Sequence, residues 1–240
     1  MKSDKGLYIY GRNPIREALD NNRIIEVYVS SNFSDTKLLD ALKAKKIPMI
    51  NKSINELNKM VDGVHQGIVA LMKRYEYSSL EDILRDAKKV NNPMIVMLDE
   101  IEDPHNLGAI MRSADVFGAV GIIVKKHNQA LLNATVAKTS AGAINYVKVA
   151  QVNNLVQCID TLKKEGFWII SADGSGKTNY LDIDYNFPSV LVIGNEGKGI
   201  SRLVVENSDY VVKIPMHGKI NSLNASVAAA VLMSRIAENK

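Results

Sequence analysis

From Pro93 onward, short runs of unbroken apolar residues alternate with longer segments of helical period. "MIVMLD" (94–99), "VGIIVK" (120–125), "YVKVA" (146–150), "FWIIS" (167–171), "SVLVIG" (189–194) and "DYVVKI" (209–214) read as strands. Segments 107–117, 131–142 and 153–165 read as helices between them, and another follows Ala225. Continuous apolar strands separated by helices predict a mostly parallel sheet covered on both faces, an α/β fold. The first third alternates on a smaller scale. "RNPIREALD" (12–20) predicts a helix with Asn13 as cap and Pro14 at its first position. "IIEVYVS" (24–30), "IPMI" (47–50) and "GIVALM" (67–72) predict strands. A helix is predicted over 34–46 from Ser34, and another over 53–61 opened by a Ser53-x-x-Glu56 capping box. The boundaries that follow are a small α/β domain over 1–75, a polar linker with a short amphipathic helix over 76–92, and a larger domain over 93–240.

Composition adds little to this picture and charge adds more. At 46% hydrophobic and 23% charged residues, the 240-residue chain can build a sizeable core. Residues 1–78 hold 13 Lys and Arg against 9 Asp and Glu, whereas residues 79–240 hold 17 of each. The whole excess of +4 therefore sits in the first third, as expected of a basic RNA-capturing module beside a neutral chemical one. The opening residues contain no apolar core of a signal peptide, and no apolar run is long enough to span a bilayer, so a cytoplasmic protein is expected. Cys158 is the single cysteine, which excludes an internal disulfide and reads as a small buried hydrophobe. No metal site is expected.

Four stretches carry candidate chemistry. "SADGSGKTNY" (171–180) contains Gly176-Lys177-Thr178 but has Ser171 where a phosphate loop needs glycine, and a poor helix follows, so a surface loop is expected. In "LDEIEDPHNLGAIMRSADVFGA" (98–119), Asn106 reads as the cap of helix 107–117. Gly108 would let a neighbour approach that helix beside Arg112, and Arg112 pairing with Asp115 is an equal reading. "VIGNEGKGIS" (192–201) places Gly194, Gly197 and Gly199 at the carboxyl end of a strand. Ligands of open α/β sheets bind there, and such glycines can offer backbone N–H groups; Glu196 disfavours a bare phosphate as the ligand. "IPMHGKINSLNASVA" (214–228) brings Asn221, Ser222, Asn224 and Ser226 to the entrance of a small-residue helix, where capping accounts for only Ser222 or Asn224.

Taken together, "NLGAIMR" (106–112), "GNEGKGIS" (194–201) and "IPMHGKINSLNASVA" (214–228) resemble, in order and spacing, the three motifs of the SpoU branch of the SPOUT RNA methyltransferases. "YGRNPIREAL" and "VHQGIVAL" in the first third look like that family's L30e-like RNA-binding domain. The pairing is similar to the family's bacterial 23S rRNA guanosine 2'-O-methyltransferases, with tRNA as the alternative substrate. The resemblance implies a trefoil-knotted SPOUT domain, S-adenosylmethionine as methyl donor, an rRNA or tRNA partner, and a homodimer away from membranes. It implies catalytic or active-site roles for Asn106, Arg112, Glu196, Ser222 and Asn224, and cofactor binding at Gly194, Ile214 and Leu223. Ala225 and Asn221 stand where the family more often has Val and Glu.

Overall fold

The computed structural model describes residues 6–238. Met1–Lys5, part of the opening stretch read above for a signal peptide, lie outside them. The chain divides into two compact units between Glu76 and Tyr77.

The first unit contains β1 (Leu7–Tyr10), α1 (Arg12–Asp20), β2 (Ile24–Val29), α2 (Thr36–Ala44), β3 (Met49–Asn51), α3 (Ile54–Met60) and β4 (Ile68–Met72). Its sheet runs β1-β4-β2-β3, with β4 antiparallel to both neighbours and β2 parallel to β3. β4 is buried along its whole length, as expected of a central strand. The Ser53–Glu56 capping box forms on α3. Two other caps differ from expectation. Gly11 precedes α1 at φ +84°, which only glycine adopts readily, so Asn13 lies inside the helix and Pro14 stands at its third position, two later than predicted. Asp35, not Ser34, caps α2 by accepting from the Leu38 N–H. β1 was not expected; it has only four residues, and its exposed Tyr8 and Tyr10 flank a single buried residue, Ile9.

The second unit holds α4 (Leu80–Ala87), β5 (Met94–Asp99), α5 (Pro104–Val116), β6 (Gly121–Lys125), α6 (Ala134–Thr139), β7 (Val149–Val152), α7 (Leu155–Lys164), β8 (Trp168–Ala172), β9 (Thr178–Asn179), β10 (Ser189–Gly194), α8 (Arg202–Glu206), β11 (Tyr210–Lys213) and α9 (Ala225–Ala237). The seven strands lie in the order β7-β6-β5-β10-β8-β11-β9, and every pairing is parallel. Ile95, Met97, Val190 and Val192 face α4, α7 and α8 on one side of the sheet, where Cys158 is also buried. Burial pushes that thiol up to about 12, consistent with a packing role. α5, α6 and α9 are grouped together, and α9 also packs on β10.

The polar segment 76–92, expected as a linker, contributes α4 to this core. Ile83 is fully buried, and Gly121 makes room for it: a Cβ there would lie 2.7 Å from the Ile83 side chain. The strand expected over 146–150 begins instead at Val149, because parallel pairing with β6 starts there, and Tyr146 is 78% exposed. The helix expected to run to Gly142 stops at Thr139, with Ala141 and Gly142 both at positive φ.

Candidate active site

The carboxyl ends of β8, β10 and β11 open onto a cavity of about 490 Å³. Gly194, Ile214 and Leu223, the three expected cofactor-binding residues, all line it, as do Glu196 and Ser222. Apolar walls come from Ile193, Val212, Pro215 and Leu232. The volume falls within the range of about 300–1,000 Å³ typical of small-molecule sites.

The loop after β10 is closed on itself. The Asn195 N–H donates to the Gly199 carbonyl at 3.1 Å, and the Gly199 N–H returns to the Asn195 carbonyl at 2.8 Å. Asn195 Oδ1 accepts from the Gly197 and Lys198 N–H groups at 2.9 and 3.1 Å. The Ser201 N–H goes to Asp99 Oδ2 at 2.8 Å. The N–H groups expected to be offered to a ligand are therefore largely consumed within the protein. Glycine serves close approach instead: a Cβ on Gly194 would sit 2.4 Å from the Gly199 carbonyl carbon. Asn195 Nδ2 also donates to the Glu100 carbonyl at 2.8 Å, tying the loop to the end of β5. Glu100 sits at φ +62°, and Lys125 Nζ holds its carboxylate at 2.7 Å, which lowers the pKa of that carboxyl.

The closed loop presents Glu196 to two asparagines. Glu196 Oε1 accepts from Asn106 Nδ2 at 2.7 Å, Asn224 Nδ2 at 2.5 Å and the Ala225 N–H at 3.3 Å. Asn224 Nδ2 also donates to Asn106 Oδ1 at 2.9 Å. The opposite side of the Asn224 amide caps α9, with Oδ1 accepting from the N–H groups of Ser226 and Val227 at 2.9 and 3.3 Å. Asn224 thus joins a helix cap to the Asn106–Glu196 network through one amide. Asn106 does not cap α5 as expected. Asp103 does so, accepting from the His105 N–H, and the helix begins at Pro104. Asn106 then lies in the first turn, 8% exposed, with its amide free to bond across the fold.

Arg112 and Ser222 stand outside this network. Arg112 is exposed, with no ion pair among the described residues, so the pairing with Asp115 is not formed. It follows Gly108 by one helical turn, whereas Asn106 lies about 200° around the helix from Gly108. The Gly108 face meets Thr139 of α6, whose Oγ1 would be 1.8 Å from an added Cβ. The close neighbour that Gly108 admits is thus a helix rather than a ligand. Ser222 is exposed at the pocket wall.

The segment from Met216 to Leu223 differs from the closed loop. Among the described residues its backbone groups have no hydrogen-bonding partner in the chain, and Met216, Asn221, Ser222 and Leu223 of this segment line the cavity. Two parts of the site went unread in the sequence. Asn195 locks the loop, and the Asn-x-Gly spacing of an Asx turn was the signal for it. Asp173, from the stretch expected to be a plain surface loop, lines the cavity with Ala172 and Gly174; its position at the carboxyl end of β8 was the available clue. No group of three or more His, Cys, Asp or Glu among the described residues could hold a metal ion. No described helix is long and apolar enough to cross a membrane.

Comparison with known proteins agrees with this architecture. Residues 93–234 match the profile of the SpoU rRNA Methylase family, and residues 8–78 match that of the RNA 2'-O ribose methyltransferase substrate-binding domain. A Bacillus subtilis (strain 168) protein named as a TrmH family tRNA/rRNA methyltransferase is 41% identical over 95% of this chain and 94% of its own. A Staphylococcus aureus (strain COL) protein of the same description is 39% identical over 95% and 94%. Among solved structures, the SpoU methyltransferase AviRb from Streptomyces viridochromogenes, in complex with AdoMet, shares the fold at a TM-score of 0.77, with 24% identity over 97% of this chain and 89% of that one. The A. aeolicus TrmH/SpoU tRNA modifying enzyme reaches 0.57 at 31% identity, covering 67% and 83%. With both units matched in chain order and the relatives covered almost end to end, this chain belongs to the SpoU family of RNA methyltransferases.

Proposed function

We propose that this chain transfers a methyl group from S-adenosylmethionine to the ribose 2'-OH of a guanosine in 23S rRNA, acting as a cytoplasmic homodimer. The observation that carries this reading is the Asn106–Glu196–Asn224 network at the edge of a cavity of about 490 Å³. The cavity suits the cofactor because it combines apolar side chains with the open backbone of Met216, Asn221, Ser222 and Leu223, whose donors and acceptors can match a purine edge without side-chain charge. Gly194, Ile214 and Leu223 would hold it there. The knotted threading implied by the resemblance belongs to the same proposal. When bound, S-adenosylmethionine supplies a methyl already activated by its sulfonium, so the protein's task is alignment and management of one proton.

Glu196 fixes both asparagine amides, leaving the remaining N–H of Asn106 to orient the ribose. Ser222 orders the pocket wall. Arg112 is a poor proton acceptor, since a guanidinium stays charged below about pH 12. Its role is to hold an RNA phosphate and stabilise the developing alkoxide. Arg112→Ala therefore keeps cofactor affinity while methyl transfer falls about 10²–10³-fold. Calorimetry with S-adenosylhomocysteine beside a radiolabelled assay checks this, and loss of binding would refute the role.

The N-terminal match to a ribose methyltransferase substrate-binding domain, together with the basic excess there, supports a large RNA substrate. A tRNA guanosine is the second reading, favoured by the likeness to a tRNA modifying enzyme. Mapping 2'-O-methylation on unmodified 23S rRNA and tRNA side by side tests the proposal. Label in 23S rRNA is expected; label confined to tRNA selects the alternative, and label in neither overturns both.

A further inference from the structure

One wall of the cavity is used by nothing described so far. Asp173 is half-buried there, and its loop is rigidly held. Its Oδ1 accepts from the Ser175 N–H at 2.8 Å and from Ser175 Oγ at 2.6 Å. Its N–H donates to the Val212 carbonyl at 2.9 Å, and its carbonyl accepts from the Gly176 N–H at 3.0 Å. Gly176 lets the loop lie against β11, since a Cβ there would be 2.7 Å from the Val211 carbonyl oxygen. Asp173 Oδ2 is left without a hydrogen-bonding partner among the described residues. It lies beside the cavity floor, 3.7 Å from where a Cβ on Gly199 would stand, and Gly199 is packed on Gly194.

We infer that Asp173 Oδ2 accepts a hydrogen bond from the ribose hydroxyls of S-adenosylmethionine, which makes Asp173 a specificity-determining residue for the nucleoside part of the cofactor. The inference rests on the reading of this cavity as the cofactor site. An ionised carboxylate only accepts, so it selects a donor. Purine atoms are served by open backbone. The other carboxylate of the cavity, Glu196, is bound through Oε1 into the asparagine network that the proposed function assigns to the methyl acceptor. Vicinal hydroxyls are neutral donors whose bond to a fixed carboxylate is charge-assisted and short. A site built this way disfavours an analogue lacking the hydroxyls, because the carboxylate oxygen that the bound nucleoside covers is then left unpaired.

The test is calorimetry on the full chain with S-adenosylhomocysteine, its 2',3'-dideoxyribose analogue and an analogue lacking the α-amino group. The wild type should bind the parent ligand about tenfold or more tightly than the dideoxy analogue. Asp173→Asn keeps an acceptor for Ser175 but loses the open one. It should weaken the parent about tenfold while changing the dideoxy analogue less than about twofold. The KM for S-adenosylmethionine should rise about tenfold, with kcat falling less than about threefold. Equal weakening of both ligands would mean a structural role, and no weakening, no role; either overturns the inference. So does a wild type indifferent to the hydroxyls, a result available even if the variant does not fold. An Asp173→Asn effect that vanishes with the deaminated analogue instead would mean the carboxylate reads the ammonium, which also overturns it. Ala228→Trp fills the cavity; retained affinity there would break the cavity reading itself, a separate failure.

Discussion

The loop 194–199 and the segment 216–223 border the same cavity, and both are punctuated by glycine, yet they treat their backbones in opposite ways. The first spends its N–H groups on itself, through Asn195 and Gly199, and becomes a rigid bracket for Glu196. The second leaves its backbone groups open beside the cavity. Glycine richness therefore does not identify the segment whose backbone stays open. A backbone N–H can bind a ligand only if the fold has not already given it a partner.

The largest effect that sharpens this contrast comes from Gly194→Ala. The new methyl would meet the backbone of Gly199 and Ile200 at about the 2.4–2.5 Å built there, and backbone cannot turn aside as a side chain can. The bracket must open, moving Glu196, and a displacement of about 1 Å can cost 10²-fold in rate. Methyl transfer should fall at least that far, with cofactor affinity measured by calorimetry falling alongside. Near-normal turnover would show that the closed loop is not a positioning element.

Asn224→Ala comes next. It removes a cap from α9, costing about 1 kcal/mol of stability, and detaches two donors from Asn106 and Glu196. A urea denaturation curve reads the first loss, and the radiolabelled assay should show a drop of about tenfold or more. Full activity would place the network outside the chemistry.

A smaller effect probes the brace under the closed loop. The Lys125 ammonium beside Glu100 lowers that carboxyl's pKa, so the pair stabilises the fold above the unfolded value of about 4.3 and stops doing so as pH falls through the lower folded value. Glu100→Gln should lower Tm at pH 7, and the deficit should shrink on acidification below about pH 4. A deficit that is constant with pH would point to packing rather than charge.

The smallest effect is the control on the open side. A Cβ at Gly218 finds only the Ile220 N–H, at 4.0 Å. Gly218→Ala should change stability by less than about 0.5 kcal/mol in the same urea experiment. A large loss there would mean that the open segment is as tightly packed as the closed one.

Much of the fold was legible because its signals are short-range. The Ser53–Glu56 box spans one turn and formed as read. The apolar runs 94–99 and 189–194 became β5 and β10 without change, because a strand buried on both faces needs no long pattern to declare itself. Boundaries failed where a neighbour decided them. β7 starts where β6 pairs with it, and α5 starts at Pro104 because Asp103 outcompetes Asn106 for the cap.

By itself, the sequence determined that there is an α/β unit after a smaller one, and which residues share three motifs; these rest on periodicity and spacing within a few residues. Only the tertiary structure decided that Asn106, Glu196 and Asn224 meet, across separations of 90 and 118 positions. It also decided that Gly108 admits Thr139, that the helix in the presumed linker belongs to the core, and which loop keeps its backbone open. The physical reason is that a hydrogen-bonding group's partner is set by which strands the topology makes adjacent. Local composition says what a residue can donate or accept, and the sheet order says to whom.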